Sequence, residues 1–106
     1  MKHVNCLYLN NGKESLKHFV VKAILFKILR EKGKKVATEV DVDRDVVDLV
    51  DLDNLIAYEI ERKPTREKIE KRLKELNFVK DIFFIDLKFL PNDIKTLEFL
   101  LKKMVV

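Results

Sequence analysis

This chain is defined first by what it does without. It has no tryptophan, no glutamine, one cysteine, two glycines and two prolines in 106 residues. The lone Cys6 excludes an intrachain disulfide and a cysteine-rich zinc site, and reads as a small buried hydrophobe. So few glycines and prolines leave no linker, low-complexity tract or internal repeat. No apolar run is long enough to span a membrane. The first residues, MKHVNCLYLNNGK, lack the basic start, long apolar core and small-residue cleavage site of a signal peptide. The expectation is an intracellular chain with no membrane partner.

What is present is hydrophobic and charged material in nearly equal share, 47% and 38%. Such a chain is globular, with one domain over 1–106 and one modest core. The prevalence of Lys, Glu, Ile, Leu and Val, without glutamine, resembles thermophilic usage. Net charge is +4, which permits an acidic partner such as nucleic acid. The charge is uneven: residues 39–61 are strongly acidic, whereas RKPTREKIEKRLK at 62–74 is strongly basic. The basic stretch is either a phosphate-binding stripe or a solvated helix face with i,i+4 ion pairs.

Helical spacing of Leu16, Phe19, Val20, Ala23, Ile24, Ile28 and Leu29 predicts a helix over 13–32, stopped by Gly33. VNCLYL before it is a short strand or an arm. Strands follow at 36–42, 45–50 and 55–61, with DLDN at 51–54 as a turn between the last two. Pro64 ends the third strand. Thr65 caps a helix reaching about Leu76, whose apolar stripe is Ile69, Leu73 and Leu76. DIFFIDL at 81–87 is a buried strand, and Pro91 or Asn92 opens a last helix. The fold class is α/β (α+β), with an antiparallel meander followed by a strand–helix–strand unit that implies a parallel pair.

The most unusual stretch is Arg44 to Lys63, where acids stand in a hairpin that should be half-buried. Asp45 and Asp48 lie on its first strand, Glu59 and Glu61 on its second. Buried carboxylates require pairing or a cation. The order of elements and the residues Asp45-Val46-Val47-Asp48 and Tyr58-Glu59-Ile60-Glu61 resemble the restriction-endonuclease-like, or PD-(D/E)xK, nucleases. Their αβββαβ core has a mixed sheet flanked by helices, here followed by a C-terminal helix. With His18 and Thr38-Glu39 added, the pattern resembles small archaeal and viral members and archaeal Holliday-junction resolvases.

That resemblance implies Mg2+ or Mn2+ held by Asp45, Glu59 and the carbonyl of Ile60. The metal would polarise a scissile phosphate and activate water. Glu39 would hold a second metal or orient water, with Glu14 and His18 closing the site from the helix. Glu61 stands where the family usually has lysine, and Lys63, or more remotely Lys68, would supply a migrated ammonium. Arg62, Lys63, Arg66 and Lys71 would meet DNA phosphates. Register decides which aspartate joins Glu59. A two- or four-residue turn selects Asp48, whereas a three-residue turn with Asn54 in the left-handed region selects Asp45. The family motif selects Asp45. Three readings follow: a metal-dependent DNA nuclease, the same fold without catalysis as a DNA-binding or assembly module, and a structural protein. For so small a domain, a homodimer or larger assembly would extend the DNA-binding surface.

Overall fold

The computed structural model describes residues 15–42, 45–61 and 65–105. Helix α1 spans Leu16–Glu31, strands β1, β2 and β3 span Val36–Val42, Asp45–Asp51 and Ile56–Glu61, and helix α2 spans Arg66–Glu75. Strand β4, Asp81–Asp86, runs into a single 3-10 turn at Leu87–Phe89, and helix α3 covers Ile94–Met104. The sheet order is β1-β2-β3-β4. The first three strands are antiparallel and β4 runs parallel to β3. The expected mixed sheet with flanking helices is therefore present. The VNCLYL segment lies outside the described residues.

Local chemistry sets the ends. Ser15 caps α1 by accepting from the backbone N–H of His18 at 3.1 Å. At its other end Gly33 has φ +78°, and two bonds close the helix: Lys34 N–H to Leu29 O and Gly33 N–H to Arg30 O, both at 3.0 Å. This paired arrangement needs a left-handed residue after the cap, which glycine adopts most cheaply. Thr65 caps α2 as expected, accepting from Lys68 N–H at 3.2 Å. The last helix begins later than Pro91 or Asn92. Asp93 is its cap, its carboxylate accepting from Thr96 N–H at 3.0 Å.

The core divides across the sheet. On one side α1 and α3 bring Val21, Leu25, Leu29, Leu97 and Leu101 against Leu49, Tyr58, Ile60 and Ile85. Burying each such leucine stabilises the fold by about 1.5–3 kcal/mol. On the other side Val47, Val50 and Ala57 pack with Leu76, which follows α2. Helix α2 itself buries no residue completely, and Leu73 is exposed, so its expected stripe makes only partial contact. Leu16, Ile94 and Phe99, expected to supply apolar surface, are likewise exposed. Among the described residues no helix is long and apolar enough to cross a membrane.

Candidate functional site

The β2–β3 turn settles the register. Asp51 pairs with Ile56 and Leu49 with Tyr58, leaving the four residues Leu52 to Leu55 as the loop. The buried Asp51 carboxylate holds that loop, accepting from the N–H groups of Asp53 at 2.9 Å and Asn54 at 3.2 Å and from Asn54 Nδ2 at 3.0 Å. The left-handed residue is Leu55, with φ +56°, not Asn54. The three-residue turn that favours Asp45 is therefore replaced by a four-residue one, and Asp48 meets Glu59. Asp45 pairs instead with Val42 at the far end of the β1–β2 hairpin. It stands three residues along the strand from Asp48, about 10 Å at strand rise.

At the level of Asp48 two strands break their alternation together. Thr38 pairs with Leu49 and Val40 with Val47, but Glu39 and Asp48 between them do not pair. Glu39 has φ +48°, a left-handed conformation that costs a non-glycine residue about 1–2 kcal/mol. Beyond this kink Val40 and Val47 face the α2-side core, while Val36 and Leu49 before it face the α1 side. Simple alternation would keep Val47 and Leu49 on one face.

The kink delivers two carboxylates to α1. Glu39 Oε1 accepts from Lys22 Nζ at 2.6 Å, and Asp48 Oδ2 lies 3.3 Å from His18 Nε2. His18 and Lys22 are one helical turn apart, so α1 presents both from one face. Glu59 is tied to Asp48 and to α2. Its Oε1 accepts from Asp48 N–H at 3.1 Å and its Oε2 from Arg72 Nε at 2.6 Å. Asp48 Oδ2 also accepts from Ile60 N–H at 2.9 Å. Where β2 and β3 would otherwise continue their ladder, two side chains close the bonds.

The electrostatics are those of a dry site. Glu59 is 2% exposed and Lys22 is 1% exposed. Burial pushes the Glu59 carboxyl up to about 7 and the neighbouring Asp48 charge adds to this, against the opposing pull of Arg72. The arrangement is a neutralised polar core in which a carboxyl sits near the point of proton exchange.

The structure thus brings together Glu39, Glu59 and His18, with Asp48 in place of Asp45. Glu61 is half-buried on β3 and meets Lys68 Nζ at 3.3 Å, so a lysine from α2 reaches the position of the expected migrated ammonium. Arg66 lies exposed on α2, 3.4 Å from Glu70, and Lys71 is exposed on the same helix. Glu14, Arg62 and Lys63 lie outside the described residues. Sequence reasoning missed Lys22 and Arg72. Both left a signal, for Lys22 falls among the inward positions Val21 and Leu25, and Arg72 lies between Ile69 and Leu76.

These groups do not fit a bound Mg2+ or Mn2+ as they stand. Among the described residues, no group of three or more His, Cys, Asp or Glu is arranged to hold a metal ion. The carboxylate oxygens of Glu59 and Asp48 nearest one another are occupied by backbone N–H groups, and the remaining Glu59 oxygen by a guanidinium. The Ile60 backbone contributes its N–H to Asp48. Comparison with known proteins gives no match: no family model, no curated protein and no solved structure matches this chain.

Proposed function

We propose that the chain is a DNA-binding domain built on a restriction-endonuclease-like αβββαβ core whose carboxylate site serves structure in place of catalysis. The strand order β1-β2-β3-β4 with a parallel β3–β4 pair supports the fold assignment. One observation carries the loss of catalysis. Each carboxylate that would serve the reaction is matched by a protein cation or by an N–H group: Glu39 by Lys22, Asp48 by His18 and Ile60, Glu59 by Arg72 and Asp48. The net charge of +4 and the exposed Arg66, Lys68, Lys71 and Lys74 on α2 support an anionic partner. Binding through them is salt-dependent and largely blind to sequence.

A second reading, a metal-dependent DNA hydrolase, is favoured by the convergence of Glu39, Asp48 and Glu59 at one level of three adjacent strands. A carboxyl near 7 also suits proton transfer. One assay separates the readings. Labelled linear, circular and branched DNA is incubated with the protein at two salt concentrations, with and without Mg2+ or Mn2+. Binding that falls steeply with salt, without cutting, is the expected result. Removing Arg66 and Lys71 together should lower the slope of log K against log salt by about 2. Cutting that needs metal and vanishes in Asp48→Asn and Glu59→Gln, but survives in Asp45→Ala, would establish the hydrolase. Neither binding nor cutting would leave a structural protein.

A further inference from the structure

Arg72 does more than pair with Glu59. Its guanidinium reaches three oxygens: Glu59 Oε2 at 2.6 Å from Nε, Glu75 Oε2 at 3.4 Å from Nη1 and the Val46 carbonyl at 3.4 Å from Nη2. The side chain is only 12% exposed, and those of Glu59 and Glu75 are 2% and 10% exposed. The second oxygen of Glu75, Oε1, is buried and has no hydrogen-bond partner. Two carboxylates and a carbonyl around one cation are the oxygen ligands that hard divalent ions take. Charge points the same way. A guanidinium carries one positive charge against two carboxylates, and leaves a carboxylate oxygen over; a divalent ion would balance both carboxylates.

We propose that Arg72 is a resident cation in a latent divalent-metal site formed by Glu59, Glu75 and the Val46 carbonyl, and that the guanidinium keeps metal out. This rests on the reading of the domain as a nuclease-like core without catalysis, and it supplies the reason for the loss. Arg72 comes from the turn of α2 that packs over the sheet, one turn before the buried Leu76. The helix therefore places the guanidinium at the β2–β3 crossing with no loop to swing it away. A planar donor fork also suits oxygens spread over two elements better than an ammonium does.

The probe is Mn2+ alone, added to the full chain, with binding followed by calorimetry and by paramagnetic broadening of backbone resonances. Wild type should show no saturable binding and no selective broadening near Glu59 and Glu75. Arg72→Ala should bind one Mn2+ with a Kd of about 0.1–1 mM, the range of weak oxygen-ligand sites. It should also gain thermal stability on Mn2+ addition, a gain that wild type lacks. Adding Glu59→Gln or Glu75→Gln to Arg72→Ala should weaken the site about tenfold or more.

A folded Arg72→Ala that ignores Mn2+ would overturn the proposal, as would binding indifferent to Glu75→Gln. Should Arg72→Ala fail to fold, Arg72→Gln keeps a donor to Glu59 without the charge and is expected to bind in the same range. The wild-type broadening experiment needs no variant, and selective broadening at Glu59 and Glu75 would by itself refute the exclusion of metal. DNA binding is read separately in the anisotropy of labelled duplex. Its absence would sink the functional reading while leaving the Mn2+ results to decide the site.

Discussion

Lys22 is the residue that asks most of this fold. Its ammonium is almost wholly enclosed, and Glu39 is the carboxylate the structure gives it at 2.6 Å. Taking both ions from water costs several kcal/mol each, so the pair contributes little net stability, but removing one partner strands the other. Lys22→Met should therefore destabilise the protein by about 3–5 kcal/mol in urea unfolding. Lys22→Met combined with Glu39→Gln should recover most of that loss, because no buried charge remains. If the double variant were no more stable than the single one, the pair would not be the source of the cost. Glu39 also shows why a single residue escaped the sequence. Left-handed backbone favours glycine or asparagine, and nothing in Thr38-Glu39-Val40 announces a kink. The Lys22 attraction offsets the conformational cost, and that contact joins residues 17 positions apart.

At the scale of elements, the boundaries that local chemistry dictates were legible and those that tertiary contacts dictate were not. Strand β1 matches its alternating VATEVDV, Thr65 opens α2, and Gly33 closes α1. Register was the hidden quantity. The turn acids announced a turn, but its length follows from the buried Asp51 carboxylate gathering the N–H groups of Asp53 and Asn54. That shift of one residue exchanges Asp45 for Asp48 beside Glu59. The Gly33 closure can be tested directly. A Cβ built there meets nothing within 4 Å, so only the backbone conformation at φ +78° opposes a side chain. Gly33→Ala should cost about 1 kcal/mol, from the left-handed penalty alone. Gly33→Asn should cost less, since asparagine tolerates that region. Equal losses in urea midpoint for the two variants would mean that something besides backbone conformation is at stake.

At the scale of the whole molecule, the sheet is held by two cores of different character, with a polar seam between them. The seam joins α1, three strands and α2 through charges, so its protonation is coupled to global folding. Glu59 has the decisive sign. Its folded pKa is about 7 against 4.5 for an ordinary glutamate, so the fold favours the protonated form. Its contribution to stability is then fully present below about 4.5 and is lost as pH rises through about 7. A shift of that size corresponds to about 3 kcal/mol across the window, as an upper figure. Asp48, Arg72 and the Arg72-linked Glu75 face the same carboxyl and move with it, so the test compares slopes and not absolute stabilities. Urea unfolding of wild type and Glu59→Gln at steps from pH 4.5 to 8 should show wild type losing its advantage as pH rises. The variant, which has nothing to ionise at this position, should follow a flatter curve although it starts weaker for want of a charged partner for Arg72. Parallel curves through the window would mean that Glu59 titrates as an ordinary surface acid. The neutralised seam would then be held by Arg72 with Glu59 ionised throughout, and the burial of that carboxylate would have no thermodynamic signature.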